Sequence, residues 1–177
     1  VPLAPNIIQK EISMVTQEKL KELFSYNAKT GHLTWKVSPN NSVKMGDRAG
    51  GKNKLTNYRQ LWVDRKNYKE HRLIWLLVNG SFPVDCIDHI NGIKDDNRIS
   101  NLREANHSQN NINQCIQSNN TSGFKGVSYS KTRDKYEAYI STNRKRKHLG
   151  YFTTKEEAHT AYCEASLKYH KEFSRTN

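Results

Sequence analysis

The sequence lacks any long run of apolar residues. Only 34% of its 177 residues are hydrophobic, and its mean hydropathy is -0.92. A membrane-spanning helix needs about 20 mostly apolar residues in a row, so the composition excludes a membrane protein. It also disfavours one large core and indicates small modules joined by polar segments.

Cysteine is scarce as well. Cys86, Cys115 and Cys163 are far apart, and the absence of a C-x-x-C pair disfavours a zinc knuckle. We expect idle thiols in a reducing compartment, and hence a cytoplasmic protein. The N-terminus has no basic start followed by an apolar core, so it does not resemble a secretory signal. Residues 1–15 are expected to be an N-terminal extension, either disordered or added upstream of a natural start.

Positive charge, in contrast, is abundant. The chain has 29 Lys and Arg residues against 17 Asp and Glu, a net charge of +12. Its pI is about 9.6, and its basic residues are interleaved with aromatic ones. This pattern favours a nucleic-acid partner. An acidic membrane surface is the weaker alternative, because no predicted helix is both strongly basic and strongly apolar.

The first half of the chain has alternating helical and extended patterns. A short helix is predicted over 16–26, followed by strands over 32–37 and 58–64. A second helix is predicted over 68–79, ended by Gly80. The three tryptophans of this region are expected in its core: Trp35, Trp62 and Trp75.

The middle of the chain predicts a hairpin followed by a helix. A strand over 84–89 leads to the Asn91-Gly92 pair, which is a strong turn signal, and the return segment is expected over 95–99. A turn of helix is predicted from 100 to 105, and a further helix from Ser108 to about Ile116.

The last third predicts a three-stranded antiparallel sheet backed by one helix. The helix begins with a capping box at Thr154 and Glu157. The strands are predicted over residues 126–130, 135–142 and 147–152. The fold class is therefore α+β. The expected domains are a β-rich region with the central hairpin and helix over 16–116, a linker over 117–122, and the C-terminal module over 123–177.

The central segment also carries residues suited to chemistry on a phosphate. Asp88 and Asn110 offer oxygen ligands, which suit a hard cation such as Mg²⁺ or Mn²⁺. A neutral imidazole at His89 can take a proton from water near pH 7. Neighbouring residues of a strand point to opposite faces, so Asp88 and His89 share a site only if the backbone bends or the metal lies at the end of the strand.

Three motifs in this segment resemble the HNH endonucleases, the ββα-metal nucleases, and among them the homing enzymes of phages and introns. The resemblance as a whole covers about Tyr58 to Asn113. The motifs are D-H-I-N-G at 88–92, N-L-R at 101–103 and Q-N-N-I-N at 109–113.

This resemblance implies a role for each matching residue. His89 would be the general base, and Asp88 and Asn110 would bind one divalent metal ion. Asn101 would brace the loop and orient the histidine. His71-Arg72 matches an upstream H-R pair, so Arg72 is expected to contact phosphate. The cysteine pairs that bind zinc in some members are missing, so structural zinc is not expected.

From Ser122 onward the sequence is similar to the Apetala-two/ERF DNA-binding domain. The similarity rests on S-G-F-K-G-V-S-Y, L-G-Y-F and E-E-A-H-T-A-Y. In that family the sheet enters the major groove of DNA. Ser128 and Ser141 replace arginines of the plant pattern, which implies fewer bidentate guanine contacts. The expected DNA contacts are Lys125, Tyr129, Lys131, Arg133, Lys135, Tyr136, Tyr139, Arg144, Arg146 and Lys147.

Together these features predict a metal-dependent endonuclease of the HNH homing type that nicks or cuts double-stranded DNA. The C-terminal domain would recognise the target, and the setting would be a bacterial host cell if a phage encodes the protein. One alternative is a sequence-specific DNA-binding regulator with a degenerate nuclease core. Another is a protein that binds or processes RNA.

Overall fold

The computed structural model describes residues 14–142 and 145–176, so the expectation for residues 1–13 and the predicted contact of Arg144 lie outside the described residues. The chain divides into two compact units between Phe82 and Pro83. Both units mix helices with small antiparallel sheets, which confirms the α+β class. No helix in the described ranges has the length and apolarity needed to cross a bilayer.

The first unit begins with a short capped helix. Thr16 accepts a hydrogen bond from the backbone N–H of Lys19, and the helix then runs over α1 (Gln17–Leu23). The chain continues directly into β1 (Phe24–Asn27), so the helix is shorter than the predicted span of 16–26. The remaining elements are β2 (His32–Trp35), β3 (Gly51–Lys52), β4 (Arg59–Val63), β5 (Lys66–Lys69) and α2 (Glu70–Asn79).

These strands form two small sheets. β1 pairs with β2, and β3, β4 and β5 form a second antiparallel sheet in that order. Gly80 ends α2 in the left-handed conformation with φ of 80°, as predicted. Trp62 is 65% exposed, so its assignment to the core was wrong; it alternates with the buried residues Leu61 and Val63 on β4.

The second unit begins with the central hairpin and helix. Its strands are β6 (Cys86–His89) and β7 (Leu102–Ala105), and its helix is α3 (His107–Ile112). The Asn91-Gly92 turn forms, but the predicted return strand over 95–99 was wrong. The chain crosses a loop over 90–101 first, and Ile99–Asn101 is a turn of 3-10 helix. Asn106, not Ser108, caps α3.

The C-terminal module follows the predicted pattern closely. A sheet of β8 (Val127–Ser130), β9 (Lys135–Thr142) and β10 (Lys145–Phe152) packs on the helix α4 (Lys155–His170). The capping box at Thr154 and Glu157 is present. The core between sheet and helix is formed by Val127, Ala138, Ile140, Ala158, Tyr162 and Ala165.

Gly126, just before β8, permits a close approach between the sheet and α4. A Cβ atom on Gly126 would lie 2.2 Å from a ring carbon of Tyr162 on α4. Its φ of 72° also favours glycine at this position.

Candidate active site

The loop between β6 and β7 is held by its own amide side chains. Asn101 donates from Nδ2 to Oδ1 of Asn91 at 3.0 Å and to the carbonyl of Asp96 at 2.8 Å. Its Oδ1 accepts from the backbone N–H of Asn91 at 3.0 Å. Arg98 pairs with Asp96 and thereby lowers the pKa of that carboxyl to about 2. Asn101 therefore braces the loop directly.

His89 lies at the end of β6 and is buried. Its Nε2 is 2.9 Å from Oδ1 of Asn97, which is itself buried. Because an amide oxygen only accepts hydrogen bonds, Nε2 carries the proton in the neutral ring. Burial lowers the pKa of His89 below its usual value, against the opposing effects of the bond to Asn97 and the charge of Asp88. The ring is thus held in its neutral form near pH 7.

Asp88 is buried and its carboxylate has two protein partners. Oδ2 accepts from Nε of Arg103 at 2.8 Å and pairs with the terminal NH2 nitrogen of the same guanidinium at 2.7 Å. Nδ2 of Asn113 lies 2.9 Å from Oδ1 and 3.0 Å from Oδ2. The same amide donates to the carbonyl of His89 at 2.7 Å, so Asn113 ties α3 to both neighbouring residues of the strand.

The oxygen atoms of Asp88 and Asn110 are of the kind that binds a hard cation. Oδ2 is saturated, whereas Oδ1 accepts only from Asn113 among the described residues and keeps a lone pair. Asn110 is half-buried on α3, about one turn before Asn113, and no described residue is hydrogen-bonded to its side-chain amide. A carboxylate oxygen and an amide oxygen are ligands that Mg²⁺ or Mn²⁺ accepts.

A second group of metal-ligand types lies beside this hairpin. Asp85, Cys86 and His107 bring one ligand atom each to within 4.8 Å of one another. Sγ of Cys86 is 3.6 Å from Nδ1 of His107, and Nε2 of that ring is 3.7 Å from Asp85. Thiol and imidazole ligands suit zinc better than magnesium. Asp85 and His107 are exposed, unlike the buried Asp88.

Arg72 belongs to the first unit. It lies on α2, where its guanidinium is 5.8 Å from the ring centre of Phe82. The preceding His71 is buried, with its ring 5.2 Å from that of Tyr58.

The C-terminal sheet presents a basic and aromatic surface on the side away from α4. Ala138 and Ile140 of β9 face the helix, so Tyr139 between them faces outward. The guanidinium of Arg146 lies 3.7 Å from the ring centre of Tyr139. Arg133 lies 4.6 Å from the ring centre of Tyr151. We call this surface, formed by Arg133, Lys135, Tyr139, Arg146, His148 and Tyr151, the outer face.

Other predicted DNA contacts lie elsewhere on the module. Lys147 donates to the hydroxyl of Tyr169 on α4 at 2.8 Å. The ring of Tyr129 packs against that of Tyr136, which contacts the core on the helix side of the sheet. The hydroxyl of Tyr129 donates a hydrogen bond to the carboxylate of Asp134. Lys131 is exposed in the turn between β8 and β9.

Lys125 points toward the central helix. Its Nζ donates to the carbonyls of Ile112 at 2.5 Å and Gln114 at 2.8 Å, which satisfies the C-terminal end of α3. Burial, together with the charge of Arg175, lowers the pKa of Lys125 to about 8. Its placement suits a structural cap better than a DNA contact.

Several residues of these sites were missed by the sequence reasoning. His148 could have been found, because it follows Arg146 by two residues on β10 and pairs with Tyr139. Tyr151 could not, because the bulge between His148 and Gly150 brings it to the same face. Asn97 could not have been found, because the geometry of the loop brings it to His89. The partners of Arg103 could not have been found either, because they lie far from it in sequence.

Comparison with known protein families agrees with this geometry. A family model described as HNH endonuclease matches residues 68–112, which run from β5 through α2 to the end of α3. A second model, described as AP2 domain, matches residues 122–172. Both resemblances noted in the sequence are confirmed. The chain therefore belongs to the HNH endonuclease family and carries an AP2 domain after its nuclease motif.

Among curated proteins, the chain is similar to Protein 3.8 of Escherichia phage T7. The two are 34% identical over 90 residues, which cover 46% of this chain and 74% of that protein. The family points to nuclease activity, and the two domains together point to DNA as the partner.

The contact between Asn97 and His89 leads to a first prediction. Asn97→Ala removes the acceptor of Nε2, so the imidazole loses its fixed tautomer and orientation. If His89 is the general base that the sequence predicts, DNA cleavage should slow by up to about 100-fold, because small misplacements of such a group are costly. DNA affinity should be unchanged. Single-turnover cleavage assays and filter binding would measure both, with Asn79→Ala on α2 as the control; an unchanged cleavage rate would contradict the orienting role.

Proposed function

We propose that this protein is a metal-dependent endonuclease of the homing type that hydrolyses phosphodiester bonds in double-stranded DNA. The observation that carries the proposal is the pair of buried neighbours at the end of β6. His89 is held neutral by burial and oriented by Asn97, and Asp88 next to it keeps a carboxylate lone pair. The family match supports the same chemistry.

In the proposed reaction His89 acts as the general base. Its unprotonated Nδ1 accepts a proton from water, and the water oxygen forms a bond to phosphorus while the bond from phosphorus to the 3′ oxygen breaks. The proton on Nε2 stays hydrogen-bonded to Asn97 throughout, so the ring can take up the second proton and the single positive charge without turning. Asn101 keeps the loop, and with it Asn97, in place.

Asp88 and Asn110 are the proposed metal ligands. A divalent cation bound there, Mg²⁺ or Mn²⁺, would supply positive charge for the departing oxygen and the phosphate. Asn113 orients the carboxylate of Asp88 by its two contacts. Arg72 remains the predicted phosphate contact from the first unit.

Target recognition is assigned to the outer face of the C-terminal module. Its arginines lie on tyrosine rings, which orients the guanidinium groups and leaves their edges for phosphates or bases. The module boundaries proposed are those predicted from sequence, 16–116 and 123–177 with a linker between. The phage origin of the similar protein supports a phage setting and action in the cytoplasm of a bacterial host.

Metal removal tests the proposal. Incubation of the purified protein with supercoiled phage DNA and Mg²⁺ should produce nicked or linear products, and EDTA should stop this while DNA binding persists. Gel electrophoresis and mobility shifts measure the two outcomes, and added Mn²⁺ should restore cleavage. Specific binding without cleavage under any metal would instead favour a regulator with a degenerate core, and preferential binding of RNA would favour an RNA-directed role.

A further inference from the structure

The C-terminal end of the AP2 domain contacts the nuclease motif through Arg103. The terminal NH1 nitrogen of this guanidinium donates to the carbonyl of Glu172 at 2.5 Å. The flat face of the same group lies 3.9 Å from the ring centre of Phe173. Its other two nitrogens hold Oδ2 of Asp88. The side chain of Arg103 therefore joins the C-terminal end of the AP2 domain to Asp88, the proposed metal ligand.

The chain after α4 is shaped to make this contact. Lys171 ends the helix with φ of 50° and ψ of -122°, a conformation that residues other than glycine rarely adopt. The following 3-10 turn, Lys171–Phe173, buries Phe173 to 6% exposure. Strained backbone of this kind persists only where its surroundings hold it.

A second contact joins the same segment to the hairpin. Arg175 lies against the Asn91-Gly92 turn, so that a Cβ atom on Gly92 would fall 1.7 Å from a guanidinium nitrogen. Arg175 also reaches the carbonyl of Asn113 at 3.5 Å. Residues 171–175 thus touch the turn, the residue that ends α3, and Arg103, which in turn holds the Asp88 carboxylate.

We propose that Arg103 is a positioning residue, and that the Lys171–Phe173 turn of the AP2 domain sets the orientation of the Asp88 carboxylate through it. The inference rests on the proposed function, since it takes Asp88 as a metal ligand. The fork of Arg103 occupies Oδ2, which would leave the remaining lone pair of Oδ1 for a bound metal ion. A lysine cannot replace it, because a single ammonium does not bind a carboxylate through two nitrogens and stack on a ring at once.

Two variants that keep the local charge isolate orientation from electrostatics. Phe173→Ala removes the ring that supports the guanidinium, and Arg103→Lys removes the fork. Loss of a group that orients a metal ligand costs about 10- to 100-fold in metal affinity. We expect at least a tenfold rise in the Mn²⁺ dissociation constant for both variants. Phe173→Tyr, which keeps the ring, should stay within twofold of the parent protein.

The measurement uses the full chain in a His89→Ala background, so that metal binding is separated from cleavage. Free Mn²⁺ is followed by electron paramagnetic resonance far below the melting temperature of each variant. Leu167→Ala, at an exposed position of α4, is the matched control for loss of apolar side-chain volume. In the metal-free protein, the Nε–Hε resonance of Arg103 should lose its ring-current shift in Phe173→Ala and keep a shift in Phe173→Tyr.

The outcomes separate the two proposals. If Asp88→Asn abolishes Mn²⁺ binding but neither Phe173→Ala nor Arg103→Lys weakens it, the positioning role alone is overturned. Tighter binding in these variants would make Arg103 a competitor of the metal and would overturn it as well. Binding indifferent to Asp88→Asn would remove the metal ligand of the proposed function. An Arg103 resonance unaffected by Phe173→Ala would overturn the contact itself.

Discussion

Replacing His89 with alanine should reduce DNA cleavage by about 100- to 10,000-fold, the range in which positioned general bases contribute. The substitution removes the group proposed to take the proton from water and leaves its buried partner Asn97 behind. DNA affinity should stay within about twofold, because the predicted phosphate contacts lie on other residues. Single-turnover cleavage of labelled duplex and titration of the uncleaved duplex give the two values.

The matched control for this substitution is His32→Ala on β2, which changes a histidine of the first unit. It should cleave at the parental rate. Cleavage by the His89 variant at a comparable rate would remove the imidazole from the chemistry. A parallel loss of DNA affinity would indicate instead that the hairpin had lost its fold.

Neutralising the two stacked arginines of the outer face should weaken DNA binding strongly. In Arg133→Gln/Arg146→Gln both guanidinium groups are lost, with their contacts to Tyr151 and Tyr139. Hydrogen bonds to charged groups are worth about 1.5–3 kcal/mol each, so roughly 100-fold or more in affinity is expected for the pair. The slope of log affinity against log salt should also fall by about two units.

A double variant on the opposite side of the module controls for net charge. Lys155→Gln/Lys168→Gln removes the same charge from α4, behind the sheet. Fluorescence anisotropy over a range of salt concentrations should give a far smaller loss of affinity for this pair. Equal losses of DNA affinity in the two double variants would contradict target binding by the outer face.

The elements that could be predicted are those whose signals are local. The period-2 pattern predicted the bounds of β9 correctly, and the Thr154 and Glu157 box marks the start of α4. The return strand of the central hairpin could not be placed in this way. Asn91-Gly92 forms its turn, but the side chain of Asn101 then holds a longer loop by hydrogen bonds. The return strand therefore pairs with β6 only from Leu102 onward.

The same distinction applies to the candidate site. Residue types together with the motif spacing indicated Asp88 and His89, because few side chains can bind a hard cation or accept a proton near pH 7. The partner of each was not visible in the sequence. Asn97 reaches His89 through the shape of the loop, and Arg103 reaches Glu172 across 69 residues.

The placement of Lys125 has a consequence for protein engineering. Its ammonium group closes the carboxyl end of α3 although it belongs to the AP2 domain. A chimera that exchanges this domain for one with another target preference would therefore take away part of the scaffold of the enzyme it is grafted onto. Such grafts should retain a lysine at this junction, and libraries that randomise the outer face should leave it untouched.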